Sequence, residues 1–498
     1  MPSVLRTLVL GMLAMPAVLA TPVPNNGNGN GNGPCDNPGQ GKGLSKKCSA
    51  TSSSLSSTSV SPSATTTTTV PSTTTKSTTS SPSSTTATTT TTKSTTSSPS
   101  STTATTTTTS PVVSSMTSST SSGFRLVTPT KTGSTGALAS ATGMADAAKA
   151  VGRYFGTAVD IPGTGEASDP YYMAVLNNSR NFDQVTPANV MKDSLEPQQN
   201  VFNFAGADQF VAIAEATNKI IRCHNLNWYN QLPSWITNPS TPWTNDTLMA
   251  ALENHIDQVM GHFGDACYHW DVVNEAFNDD GTWRQDVWYN TAGPSYIAVA
   301  FQAANAAKAK YGLSTKLYYN DYNIEYLYPK SYMAQSLVKN LTAMGINIDG
   351  VGLQSHFADS FTPSLQSQQQ NMAAFTALKN AKGANIEVAV TELDVRIADT
   401  GSVTSPSAAV TVAAQNQQVQ FYWNTVNACA TTAGCVGVTV WDFDDTYSWI
   451  PSTFSGTGFG DLYYQPGGAN TPLVGKATID AIIDGFENVQ PGTIRYIS

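Results

Sequence analysis

From about residue 150 onward, short runs rich in β-branched and aromatic residues alternate with longer stretches whose apolar positions recur every three or four residues. The first pattern is that of a strand buried on both faces, the second that of a helix with one apolar side. Strand-like runs fall at 154–159, 182–185, 220–226, 268–274, 317–320, 350–354, 387–391 and 437–441. Between them, 245–263 places Leu248, Leu252, Ile256, Val259, Met260 and Phe263 on one helical face, and further helices are predicted at 296–310, 331–344, 372–382, 414–428 and 473–483. Strands that each lead into a helix, eight times over about 350 residues, predict an α/β fold of the (β/α)8 TIM barrel type, with its active face where the strands end.

The chain before this region cannot build a core. Residues 1–20 carry Arg6, an apolar run from Leu8 to Leu13 and the small-residue end Val18-Leu19-Ala20, the form of a secretory signal peptide. Residues 21–50 are rich in Asn and Gly and hold Cys35 and Cys48, read as a small disulfide loop or the remnant of a sugar-binding module. Residues 51–135 are a Ser/Thr-rich linker in which the 17 residues at 76–92 recur unchanged at 93–109. With no face to bury, this N-terminal region is expected to be disordered, and its dense hydroxyls and prolines suggest O-glycosylation. The folded domain is assigned to 141–498. No stretch has the apolar length of a membrane span, so the product is expected to be secreted and extracellular.

Charge sharpens the picture. After residue 140 the chain holds 17 of its 25 basic and 33 of its 34 acidic residues, a formal −16. Such a domain is an unsuitable partner for nucleic acid and suits an uncharged polymer. Cys429 and Cys435 bracket a short loop and are expected to bond in an oxidising compartment. Cys223 and Cys267 are expected to sit apart as buried thiols. No zinc-ligand spacing is found. N-glycosylation sequons occur at Asn177, Asn245 and Asn340.

Candidate chemistry lies at two strand ends. WDVVNEAFN, residues 270–278, runs through a strand and surfaces at Asn274 and Glu275; EVAVTELDVR, residues 387–396, reaches Glu392 with Asp394 just beyond. One such Glu is read equally well as a capping acid at a strand-to-loop junction. A pair of them is what glycosidic bond cleavage requires, one carboxyl giving a proton to the leaving oxygen while the other attacks or stabilises the anomeric carbon.

WDVVNEA and VTELD resemble the two signature stretches of glycoside hydrolase family 10, whose best-known members are endo-β-1,4-xylanases, from roughly residue 150 to the end, and the Ser/Thr-rich linker suggests a secreted member of fungal type. The resemblance implies the same barrel, a retaining mechanism with Glu275 as acid/base and Glu392 as nucleophile, and no metal or other cofactor. VTPANVMK resembles the family's VTPEN-MK stretch, so that Asn189 and Lys192 would hold sugar. RCHNLNWYNQLPSWI implies the same for His224, Trp228 and Gln231, and VGLQSHF for Gln354 and His356. Asn274 would bond the sugar's 2-hydroxyl, and Trp441 and Trp449 in VWDFDDTYSWI would form an aromatic floor and lid. The adjoining Asp442, Asp444 and Asp445 argue against burial of those rings. His356 would hydrogen-bond Glu392, with Asp394 supporting it; Asn320 and Asp321 in LYYNDYN resemble a structural support. The implied partner is xylan, bound by a monomer.

The departures from the family pattern lie in the sugar-binding shell: Ala188 stands where Glu is common, no Trp follows Lys192, and Tyr229 stands where His is common. They bear on the sugar accepted more than on the reaction. Another β-glycoside, such as a β-glucan or a plant defence glycoside, is the first alternative. A catalytically idle sugar-binding wall protein is the second.

Overall fold

The computed structural model describes residues 124–127, 142–398 and 410–491. The leader, the Cys35 and Cys48 segment and most of the Ser/Thr-rich linker lie outside them. Eight strands form the barrel: β1 (Tyr154–Val159), β2 (Gln184–Pro187), β3 (Ile220–Cys223), β4 (Cys267–Asn274), β5 (Lys316–Asp321), β6 (Gly350–Leu353), β7 (Glu387–Ala398) and β8 (Cys435–Val440). Each pairs in parallel with the next, and β8 closes on β1 with Gly437 opposite Tyr154. Every residue of β1, β2 and β6 is buried, as strands need when helices cover one face and the barrel interior the other.

The connecting helices include Asn245–Phe263, Ser295–Tyr311, Pro329–Ala343 and Val412–Thr431. In Asn245–Phe263 the six apolar residues on the expected face are all buried, each such side chain contributing about 1.5–3 kcal/mol. Thr244 starts this helix, its hydroxyl accepting from the Thr247 amide, and Gly264 at φ 54 ends it.

Several boundaries differ from the sequence reading. The helix expected at 372–382 is Leu365–Thr376, capped by Ser364. Its first turns, LQSQQQN, read as polar because the inward positions Gln368 and Asn371 are buried amides: Asn371 accepts from Ser331 at 2.6 Å and donates to the Ile324 carbonyl at 2.8 Å. Leu473–Lys476, assigned to a helix, is a strand antiparallel to Tyr463–Tyr464, and the helix is Thr478–Glu487. Phe124–Val127, within the stretch read as linker, pairs antiparallel with Leu473–Lys476.

The largest correction concerns the cysteines. Cys223 and Cys267 are disulfide-bonded, with Cα atoms 5.6 Å apart. They lie 44 residues apart in sequence but at the end of β3 and the start of β4, which are adjacent strands, so the barrel's closure brings together what linear spacing separates. Cys429 and Cys435 form a second disulfide.

Candidate active site

The strands end in residues with unusual backbone. Glu275 directly after β4, Ser355 after β6 and Asp442 after β8 have φ of 58°, 65° and 69°, the left-handed region. Outside glycine this conformation costs about 1–3 kcal/mol and persists only where surrounding contacts fix it. Around Glu275 those contacts are plain: its N–H donates to the Asn320 carbonyl at 2.9 Å, and its own carbonyl accepts from Arg284 Nε at 2.8 Å. The bend turns the Glu275 side chain onto the barrel mouth, where Oε2 accepts from Trp228 Nε1 at 2.9 Å and Oε1 from Gln354 Nε2 at 2.9 Å and Asn274 Nδ2 at 3.2 Å.

Glu392 reaches the same frame from within β7. Its Oε1 accepts from Asn320 Nδ2 at 2.8 Å and Arg222 Nη2 at 3.1 Å, and its Oε2 lies 3.1 Å from His356 Nε2. Asn274 Oδ1 accepts from both Asn320, at 2.8 Å, and Gln354, at 3.2 Å. Amides from β4, β5 and the β6 mouth thus tie the two carboxyl groups into one network, leaving Glu275 8 % and Glu392 4 % exposed.

Burial alone would raise the Glu392 carboxyl. The hydrogen bond from His356 and the nearby His224, Arg222 and His356 outweigh it and hold the group well below the usual range. For His356 burial acts downward, but Asp394, 2.8 Å from Nδ1, and Glu392 push the imidazole up to about 10. Trp449 Nε1 donates to the same Asp394 oxygen at 2.9 Å, and its ring lies 4.7 Å from His356. Beneath Glu392, Arg222 also meets Asp271 at 2.5 Å, and Asp271 holds His224 Nδ1 at 2.8 Å.

On the other side of the mouth, Lys192 Nζ donates to Asn189 Oδ1 at 3.0 Å and Gln231 Oε1 at 2.9 Å, and lies 4.6 Å from the centre of the Trp228 ring. Burial brings Lys192 down to about 8 against the pull of Glu392 and Glu275. Gln231 is exposed and Asn189 half-buried. All twelve singled-out catalytic and sugar-binding positions therefore lie around one barrel mouth. His224 is deeply buried: it is 2 % exposed, its Nε2 meets Asn225 Nδ2 at 3.2 Å, and Trp441 packs edge-on against it.

Two expectations about neighbours are corrected. Asp442, Asp444 and Asp445 do not keep Trp441 open; all three are buried, Trp441 itself is 9 % exposed, and only Trp449 is half-open. Asp442 accepts from the Phe443 amide and Asp444 from the Thr446 amide, Asp445 accepts from the Asp461 amide and pairs with the Lys476 ammonium, and the second oxygen of Asp444 is buried without a hydrogen-bond partner among the described residues. Asn320 is in direct contact with Glu392, closer to the chemistry than a structural support. Arg222, Asp271 and Arg284 escaped notice, although Arg222 and His224 alternate onto one face of a strand where a charged side chain has no solvent to reach.

Asn177 and Asn245 are exposed at helix ends, and Asn340 is half-buried in Pro329–Ala343. Among the described residues no group of His, Cys, Asp and Glu side chains could hold a metal ion, and no helix is long and apolar enough to cross a membrane.

What the mouth offers is a cleft floor of tryptophan and amides with two carboxyl groups in opposite settings, one among hydrogen-bond donors from neutral side chains and one beside cations. Known proteins resemble this chain. The chain is 52 % identical over 314 residues to endo-1,4-beta-xylanase D of Talaromyces funiculosus, covering 63 % of this chain and 71 % of the relative. It is 45 % identical over 344 residues to endo-1,4-beta-xylanase A of Phanerodontia chrysosporium, covering 68 % and 76 %. Its fold matches the crystal structure of a xylanase from Bispora sp. MEY-1 with xylobiose at a TM-score of 0.64 and 53 % identity, over 69 % of this chain and 99 % of that one. The model of glycosyl hydrolase family 10 matches residues 143–473, the span that holds the whole barrel and both carboxyl groups, and the chain belongs to that family.

Proposed function

We propose that the protein is a secreted, retaining endo-β-1,4-xylanase that cuts xylan by double displacement. The observation that carries this reading is the shared amide frame of Glu275 and Glu392, in which only Glu392 is flanked by Arg222 and His356. Glu392, held ionised, attacks the anomeric carbon while Glu275 passes a proton to the departing glycosidic oxygen. The product is a sugar ester of Glu392 and a free chain end. Glu275, now a carboxylate, takes a proton from water, whose oxygen displaces Glu392 and returns the sugar with its original configuration.

Asn274, bridged to Asn320 and Gln354, is placed to bond the sugar's 2-hydroxyl, an interaction that strengthens as charge develops in the transition state. Lys192, Asn189 and Gln231 bind sugar hydroxyls beside Trp228, and the apolar C–H face of the pyranose packs on Trp441 and Trp449. The protein acts as a monomer without metal or organic cofactor, outside the cell, with glycans on Asn177, Asn245 and Asn340.

The test is to follow xylan hydrolysis by proton NMR, with a β-glucan in parallel because of Ala188 and Tyr229. β-Anomeric xylo-oligosaccharides should form first. Initial α-products would contradict retention, and glucan cleavage without xylan cleavage would change the substrate. Glu392→Gly should lose turnover and regain it with azide on an activated aryl β-xyloside, giving an α-glycosyl azide.

A further inference from the structure

Arg284 stands outside the set of groups assigned to the reaction, yet it reaches three successive carbonyls at the bend that aims the acid. Its side chain donates to Glu275 O at 2.8 Å and to Phe277 O at 3.2 Å, and its own backbone N–H donates to Ala276 O at 3.0 Å. Between these residues the chain makes an excursion that reverses at Gly281, φ 82°, and pairs Phe277 with Trp283, which returns Arg284 beneath Glu275. The guanidinium is fixed in turn. It lies 4.0 Å from the centre of the Tyr229 ring and donates to Tyr322 Oη at 2.9 Å. Tyr229 follows Trp228, the residue whose indole N–H holds the Glu275 carboxyl.

We propose that Arg284 is a positioning residue for Glu275 and that Tyr229 is the ring that holds it in place. The contacts form a closed circuit: carboxyl of Glu275, indole of Trp228, ring of Tyr229, guanidinium of Arg284, carbonyl of Glu275. Holding the acid at both its carboxyl and its carbonyl fixes a left-handed residue that would otherwise relax, and with it the direction in which the proton is delivered. This inference rests on the reading of Glu275 as the acid/base.

The experiment compares kcat/KM for xylan, whose leaving group needs a proton, with kcat/KM for 2,4-dinitrophenyl β-xylobioside, whose leaving group does not. In Arg284→Met the loss on xylan should exceed the loss on the aryl glycoside by about tenfold. Equal losses on both substrates would overturn the proposal, because they mark a general structural defect. Glu275→Ala is the control: if it lacks this split, the acid/base reading itself fails, whereas a split in Glu275→Ala but not in Arg284→Met removes Arg284 alone. Should Arg284→Met not fold, Arg284→Lys, which keeps the charge but cannot reach the Glu275 and Phe277 carbonyls and Tyr322 together, is read by the same ratio. Tyr229→Leu should reproduce the split, and combining it with Arg284→Met should add less than a further twofold; independent, multiplying effects would exclude Tyr229 from the circuit.

Discussion

His356 Nε2 lies 3.1 Å from Glu392 Oε2, and the pair hold each other charged: the imidazole is pushed up to about 10 and the carboxyl well below its ordinary 4.5. Well below pH 10 His356 is therefore a cation. Replacing it with Gln keeps a hydrogen-bond donor and removes the charge. An opposite charge at this distance shifts a carboxyl by about 1–3 pH units, so the acid limb of the kcat/KM profile should move upward by that order in His356→Gln. An unmoved limb would show that His224 and Arg222 set the ionisation of Glu392 without His356. The pair also makes stability depend on pH. The Glu392 contribution is present above about 4.5 and fades as pH falls through its lower folded value; the His356 contribution is whole below about 6.5 and fades as pH rises through about 10.

Arg222 is fully buried and bonded to Asp271, to Glu392 and, at 3.1 Å, to the Thr391 carbonyl. Arg222→Met fits the volume but leaves Asp271 as a buried carboxylate without its cation and Glu392 with His356 alone. Breaking a buried pair on one side costs about 3–5 kcal/mol. Urea unfolding monitored by tryptophan fluorescence should show a loss of that size; a loss under about 1 kcal/mol would mean that His224 and His356 suffice to balance the two acids.

The barrel and the two glutamates that meet at its mouth were legible in the sequence because they are carried by local patterns. A strand buried on both faces announces itself in runs such as those of β4 and β7, and a strand that stops at a polar residue marks a mouth. What stayed hidden was set by packing across the barrel. Cys223 finds Cys267 only because β3 and β4 are neighbours, and Asn320 touches Glu392 only because β5 and β7 flank the short strand β6. Polar residues misled where the fold buries them: the glutamines that open Leu365–Thr376 read as loop, and Asp442, Asp444 and Asp445 read as solvent-facing. Period and propensity carry no information on which polar groups find partners in space.

The two disulfides should differ in worth. Cys223–Cys267 closes a loop of 44 residues and Cys429–Cys435 one of 6. Restricting the unfolded chain by loops of these lengths contributes about 4 and about 2 kcal/mol respectively. All four sulfurs are buried, so Ala replacements in pairs leave comparable cavities and the difference isolates the loop effect. Guanidinium unfolding of the two double variants should place Cys223→Ala/Cys267→Ala about 2 kcal/mol below Cys429→Ala/Cys435→Ala; the reverse order would mean that native-state packing outweighs chain restriction.

Five carboxyls near the end of β8, those of Glu166, Asp442, Asp444, Asp445 and Asp461, are buried, and the buried Lys476 ammonium acts on three of them, Asp444, Asp445 and Asp461. Burial raises each of them, Asp444 to about 8 and Glu166 to about 7. A raised carboxyl is protonated in the folded protein at a pH where the unfolded chain has already lost its proton. Its contribution is whole below the ordinary value near 4 and is lost as pH rises through the folded value. Between pH 5 and 8 the protein should therefore lose stability with a slope of order 1 kcal/mol per pH unit for each group that lags. Asp444→Asn keeps the acceptor used by the Thr446 amide and removes one titration. Its denaturation midpoint, measured against the parent at pH 5, 6, 7 and 8, should gain on the parent progressively as pH rises. A difference that stays constant over that range would show that Asp444 is already ionised in the fold and that Lys476 neutralises the cluster more fully than its burial allows.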